Sequence, residues 1–219
     1  MLVSTAALPF LGFGFVLGLK HALDGDHIVA VSTVVTENRS VMRMSLVGTF
    51  WGIGHTVSLF LVAVLVLAFE VTLPPRFSIF AETIVAVMLT ILGADLLRKV
   101  AMKGISSTPF HSVEESVSCA RKPLLIGIVH GLAGSAALML MVVATMPSMF
   151  HGLVYVTVFG LGTIGGMCAM SVLMGLPLAL GGKRIEAFGE TIKVVAGLLS
   201  IGFGIVLGWS INKSGGLLS

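Results

Sequence analysis

The sequence predicts an all-α integral membrane protein of about six transmembrane helices, arranged as two inverted three-helix repeats. Three observations predict it. Only 11% of the 219 residues are charged and 56% are hydrophobic, whereas soluble domains carry roughly 25% charged residues. Six long apolar segments follow one another along the chain, and the first half resembles the second at an offset of 108–109 residues. The length suits a single domain over residues 1–219, since each span needs roughly 20 apolar residues plus a connection. A formal net charge of +3 is no nucleic-acid signature.

Span 1 covers about residues 5–36. A straight helix of that length, rising ~1.5 Å per residue, would overrun a ~30 Å hydrocarbon core, so it is tilted, broken near Gly18 or Gly25, or projecting. The N-terminus lacks a basic leader and a small-residue cleavage site, which makes it the first span and not a signal peptide. Span 2 is about 44–70 and is ended by Pro74-Pro75, and span 3 is about 78–100. A polar cytoplasmic loop, about 101–122, separates repeat 1 (about 5–100) from repeat 2 (about 123–211). Span 4 is about 123–146, span 5 about 150–180 and span 6 about 185–211, the last two rich in glycine as close helix contacts in lipid require.

Basic residues set the orientation. Arg39, Arg43, Arg98, Lys99, Lys103, Arg121, Lys122, Lys183 and Arg184 fall on one side, and Arg76 and Lys213 on the other. Under the positive-inside rule the first set is cytoplasmic, which places both termini outside a cytoplasmic membrane. Cys119 and Cys168 lie far apart without a C-x-x-C pattern and read as ordinary thiols.

The repeat aligns Gly18–Gly25 with Gly127–Gly134, Thr49–His55 with Thr157–Thr163, and Glu82-Thr83-Ile84 with Glu190-Thr191-Ile192. Three spans per repeat is an odd number, so the second repeat enters the membrane from the opposite side. Many secondary transporters share that plan, with the substrate site near the midplane. Asp24, Asp26, His27 and His55 correspond to Ala133, Ser135, Ala136 and Thr163; only His21 keeps its counterpart, His130. The first repeat therefore carries the chemistry.

That chemistry sits in His21-Ala22-Leu23-Asp24-Gly25-Asp26-His27. A charge at bilayer depth costs on the order of 2.5–3.5 kcal/mol on insertion scales, so such groups are rarely incidental. On a regular helix His21, Asp24 and His27 form one stripe, while a backbone opened at Gly25 would bring in Asp26. Imidazole and carboxylate make a borderline donor set that suits Ni, Co, Zn or Cu(II) and not Ca or Mg. A solvated helix end or a proton relay are the competing readings. His55, between glycines in span 2, is the expected partner of the cluster, and His130 a supporting or pathway residue. His151 is a candidate gateway, and Lys20 a candidate partner of an aspartate in the ion-free protein. Glu82 and Glu190 read as capping or pairing groups, Asp95 as an interfacial pair with Arg98 and Lys99, and His111, Glu114, Glu115 and Cys119 as a solvated loop.

Residues 21–27 fit the H-x4-D-H signature of nickel/cobalt transporters, with His21, Asp26 and His27 at its fixed positions. Gly54-His55 after Phe50-Trp51 resembles that family's second-span histidine motif, and Ile126–Ser135 is similar to the shorter members associated with urease gene clusters. Larger members typically have eight spans, and their later acidic signature has no clear match here. The resemblance implies uptake of Ni2+ or Co2+ as transported substrate through His21, Asp26, His27 and His55, with Asp24 competing with Asp26 as direct ligand. Inward release would follow from one repeat moving against the other. No resident cofactor and no enzymatic activity are expected, since neither an H-E-x-x-H helix nor a nucleophile motif is present. The expected partners are the ion and the lipid bilayer, with homo-oligomerisation left open. Metal efflux on the same scaffold and a proton or anion transporter with a His/Asp relay are the rival readings.

Overall fold

The computed structural model describes residues 7–36, 40–69, 74–102, 114–133, 143, 145–180 and 186–213. Every regular element among them is helical: α1 Ala7–His21, α2 Gly25–Val35, α3 Val41–Phe69, α4 Pro75–Met102, α5 Glu114–Gly131, α6 Met149–Leu180 and α7 Glu186–Lys213. Local chemistry sets several starts. The Ser40 carbonyl accepts the Met44 N–H at 3.0 Å to open α3. Pro75 opens α4, where a fixed φ suits the first turn and a missing N–H goes unnoticed. Ser148 caps α6, its Oγ accepting the His151 N–H at 3.4 Å and its carbonyl the Gly152 N–H at 3.1 Å.

Four helices are long and apolar enough to cross a bilayer, over Val41–Phe69, Arg76–Met102, Met149–Pro177 and Gly189–Lys213. They coincide with the expected spans 2, 3, 5 and 6. Their outward faces carry Leu61, Val87, Leu173, Ile205 and Trp209, each more than half exposed, an apolar surface far beyond what a soluble monomer presents to water. The expected spans 1 and 4 are not single helices. Span 1 is divided at Ala22–Asp24 into α1 and α2, and the 15 residues of α1 rise only about 22 Å, short of a ~30 Å core. α5 reaches back over Glu114–Lys122, where the charges suggest a loop. Charge excludes lipid but not helix, and Glu, Ala, Arg and Lys are all good helix formers. His111, Ser135 and Ala136 lie outside the described residues.

The helices pack in two groups. α3 lies along both α5 and α6, and α1 lies along α6; separately, α4 lies along α7, and α2 leans mainly on α7 and α6. Each group draws helices from both halves of the sequence, so the halves interlace instead of forming separate bodies. One buried cluster around Val31, Val35, Met44, Trp51, Leu89 and Met167 joins α2, α3, α4 and α6. Another, around Leu59, Val62, Tyr155, Val156 and Phe159, sits between α3 and α6. At the charged end, Asp95 of α4 holds Arg98 and Lys99 at 3.0 Å each and reaches Lys122 of α5 at 3.7 Å, the interfacial pairing its sequence context suggests. Glu190 pairs with Lys193 at 3.4 Å.

The sequence offset reappears as reciprocal contacts. A Cβ on Gly18 would collide with the Phe159 carbonyl and stand 2.9 Å from the Thr163 nitrogen. On its counterpart Gly127 a Cβ would collide with the Trp51 carbonyl and stand 2.9 Å from the His55 nitrogen. Gly54 meets Leu124 and Ile128 as Gly162 meets Phe15 and Leu19. The α1–α6 and α3–α5 crossings are thus equivalent, each with glycine on both helices so that backbones touch. Close van der Waals approach of this kind drives association where lipid removes the hydrophobic effect between helices. Interhelical hydroxyl bonds support it: Ser58 donates to Ile128 O at 2.8 Å and Ser200 to Leu89 O at 2.7 Å.

Candidate metal centre

The glycine crossings determine where the histidines meet. α1 ends at His21 because the Leu23 and Asp24 amides fold back onto the Lys20 and His21 carbonyls, at 2.9 and 3.0 Å. α5 ends in the same way, Leu132 and Ala133 donating to Val129 and His130 at 3.3 and 3.1 Å. His21 and His130, repeat counterparts, therefore occupy equivalent positions at the ends of two helices. A helix C-terminus carries roughly half a negative charge, so both ends favour a cation. Asp24 is extended (φ −63°, ψ 147°) and restarts the chain as α2, placing Asp26 in the first turn and His27 next to it. His55 is brought in from α3 beside Gly54, at the α3–α5 crossing.

Among the described residues, two groups of three donors come within 4.8 Å of one another: His21, His27 and His55, and Asp26, His27 and His130. His27 belongs to both. His21 Nε2 stands 3.0 Å from His55 Nε2, while its Nδ1 is held by Asp24 Oδ2 at 2.7 Å. Asp26 Oδ1 accepts the His27 backbone N–H at 3.0 Å and lies 3.1 Å from His27 Nδ1; its Oδ2 lies 2.9 Å from His130 Nε2. The rings crowd, with His27 centred 4.6 Å from His21, 5.1 Å from His55 and 4.2 Å from His130. Trp51 and Phe159 wall the cluster at 5.9 Å from His130 and 5.5 Å from His21.

Among the described residues, three buried ring nitrogens in this cluster have no hydrogen-bond partner: His27 Nε2, His55 Nδ1 and His130 Nδ1. The three residues are at most 1% exposed. Buried polar atoms are satisfied in the great majority of cases, because each one left unmade costs about 1–3 kcal/mol. Three such nitrogens in one cluster could serve as metal donors or hydrogen-bonding groups. A neutral imidazole bonded to a carboxylate through one nitrogen turns its other lone pair inward, the usual posture of a metal-binding histidine. His21 on Asp24 and His27 on Asp26 both adopt it.

The other sequence candidates sit as follows. Asp24 is about half exposed, touches the cluster only through His21, and belongs to neither donor group. His151 pairs with Ser148 at the exposed start of α6, 2.7 Å away. Lys20 makes no ion pair with either aspartate among the described residues. Trp51 enters the sequence reading only through Phe50-Trp51 ahead of Gly54-His55; that its ring lies beside His130 had no sequence signal, since an aromatic on a buried helix face looks the same with or without a site behind it.

Comparison with known proteins adds a lineage. The chain is 35% identical to the urease accessory protein UreH of Bacillus sp. (strain TB-90) over 217 residues, covering 96% of this chain and 95% of that one. It is also similar to the Arabidopsis thaliana chloroplast proteins FOR GROWTH AND FERTILITY 2 and 1, at 25% and 24% identity over 94% and 88% of this chain. There it spans 58% and 56% of the relatives' length. No family model and no solved structure matches it.

Proposed function

The chain belongs to the family of the urease accessory protein UreH, and on that premise we propose that it carries Ni2+, or Co2+, across the cytoplasmic membrane into the cell. The observation that carries the reading is the buried cluster of four histidines and Asp26 at a helix break, with three ring nitrogens without partners among the described residues. A relative named for urease is consistent with nickel handling, and the H-x4-D-H motif points to the same ion. In this reading the architecture is six spans in two inverted repeats, supported by the reciprocal glycine contacts and the matching ends of α1 and α5. Both termini then lie outside, following the basic loops.

His21, Asp26, His27, His55 and His130 supply the donors that replace water around the ion. Asp24 acts through His21: by holding Nδ1 it aims Nε2 inward. Nitrogen donors favour late transition ions over Mg2+, and the C-terminal ends of α1 and α5 add negative potential where the ion loses its hydration. His21, His55 and His130 stand on α1, α3 and α5, whereas Asp26 and His27 stand on α2, which lies against α7, α6 and α4. A shift of α2 against α1, α3 and α5 separates the donors and frees the ion. This differs from one repeat moving against the other, because the repeats interlace.

The test is nickel accumulation at limiting external nickel in cells depending on this protein. His27→Ala removes the residue common to both donor groups and is expected to abolish accumulation while the protein still reaches the membrane. Wild-type accumulation in that variant would refute the reading.

A further inference from the structure

We propose that the cluster is not one coordination sphere but two ion positions that share His27, between which a single ion is handed. The inference rests on the transport reading above. One position is all imidazole (His21, His27, His55); the other has a carboxylate and two imidazoles (Asp26, His27, His130). Each position contains one member of the pair aligned by the sequence offset, His21 or His130, at the end of its own helix. His27 lies between them, its ring centre 4.6 Å from that of His21 and 4.2 Å from that of His130.

The hydrogen bonds within the cluster divide along the same line. His21 to His55, at 3.0 Å, closes the first position, and Asp26 to His130, at 2.9 Å, closes the second. No hydrogen bond joins His55 to Asp26 or His21 to His130 among the described residues. An ion entering one position displaces that position's internal bond and leaves the other intact. It can then cross by exchanging two ligands while keeping His27, without passing through a rehydrated state. The two positions also differ in charge, since only the second contributes a carboxylate.

Cobalt serves as the probe, because its absorption and X-ray absorption spectra report ligand type and number. The full chain is purified in detergent and titrated with Co2+. His55→Ala disables only the first position, His130→Ala only the second. Both are expected to keep one bound ion within about tenfold to 100-fold of wild-type affinity. The His55→Ala complex should show the carboxylate-containing sphere and the His130→Ala complex the all-imidazole sphere, while ion uptake into vesicles falls at least about tenfold in both. His27→Ala and the double His55→Ala/His130→Ala variant should lose binding. His55→Gln and His130→Asn replace the alanine forms where those are not monodisperse. Loss of binding in either single variant to the level of His27→Ala would overturn the proposal in favour of one joint site, and so would wild-type uptake in both singles. Absence of any Co2+ or Ni2+ binding by the wild-type chain would instead overturn the transport reading itself.

Discussion

Replacing Asp24 by asparagine distinguishes a residue that aims a ligand from one that is a ligand. Asp24 contributes one short hydrogen bond, 2.7 Å to His21 Nδ1, and its side chain is 48% exposed. A hydrogen bond to a charged group is worth about 1.5–3 kcal/mol, and exposure to solvent puts this one at or below the lower end. About 1.4 kcal/mol corresponds to a factor of about ten, which agrees with the roughly 10–100-fold cost of removing a carboxylate behind a metal-bound histidine. Asp24→Asn is therefore expected to weaken Ni2+ binding about tenfold. Asp26 accepts from the His27 backbone and contacts two rings, so Asp26→Asn removes a charged donor and is expected to cost about 100-fold, at the upper end of that range. Calorimetric titration of the purified variants with Ni2+ reads both. Equal losses in the two variants, or a larger loss for Asp24→Asn, would refute the assignment of roles.

The helix crossings make a matched prediction: Gly18→Leu and Gly127→Leu should each lower the melting temperature of the purified protein markedly, with overpacking costs of about 1–3 kcal/mol or more. Gly12→Ala, where nothing lies within 4 Å, should be neutral or slightly stabilising. Unequal effects at Gly18 and Gly127 would argue against equivalent crossings. Protons compete with the ion for the same nitrogen and oxygen atoms, so Ni2+ affinity should fall as pH is lowered from neutral; a flat titration from neutral to mildly acidic pH would contradict the His/Asp donor set. In a background lacking Cys119 and Cys168, an impermeant thiol reagent applied to intact cells should label Ser148→Cys and spare Ser40→Cys. The reverse pattern would invert the topology.

The four long helices were legible because unbroken apolar length is enough to specify them: Val41–Phe69 and Gly189–Lys213 differ from their expected limits by only a few residues. The gathering of His21, Asp26 and His27 was legible for the opposite reason, as charge where charge is costly. The break itself was less so. Gly25 looked like the point of opening, yet the backbone leaves the helix at Ala22–Asp24 and Gly25 begins α2, because the amides of Leu23 and Asp24 find closer carbonyls behind them. That displacement also takes Asp24 out of the helical stripe with His21 and His27, since the phase holds only while the helix continues. The role of His130 depends on a crossing between α3 and α5, and a lone histidine in an apolar run does not report what crosses it. The helical course of Glu114–Lys122 was hidden by its charge, which reports solvent and not backbone.

Uptake of radioactive nickel into proteoliposomes containing only this protein tests the central claim most directly. Time-dependent accumulation inside the vesicles is expected with the wild-type chain, reduced to the level of empty vesicles by His27→Ala. Accumulation by the wild-type chain no greater than in empty vesicles, under conditions where the purified protein binds Ni2+, would contradict it.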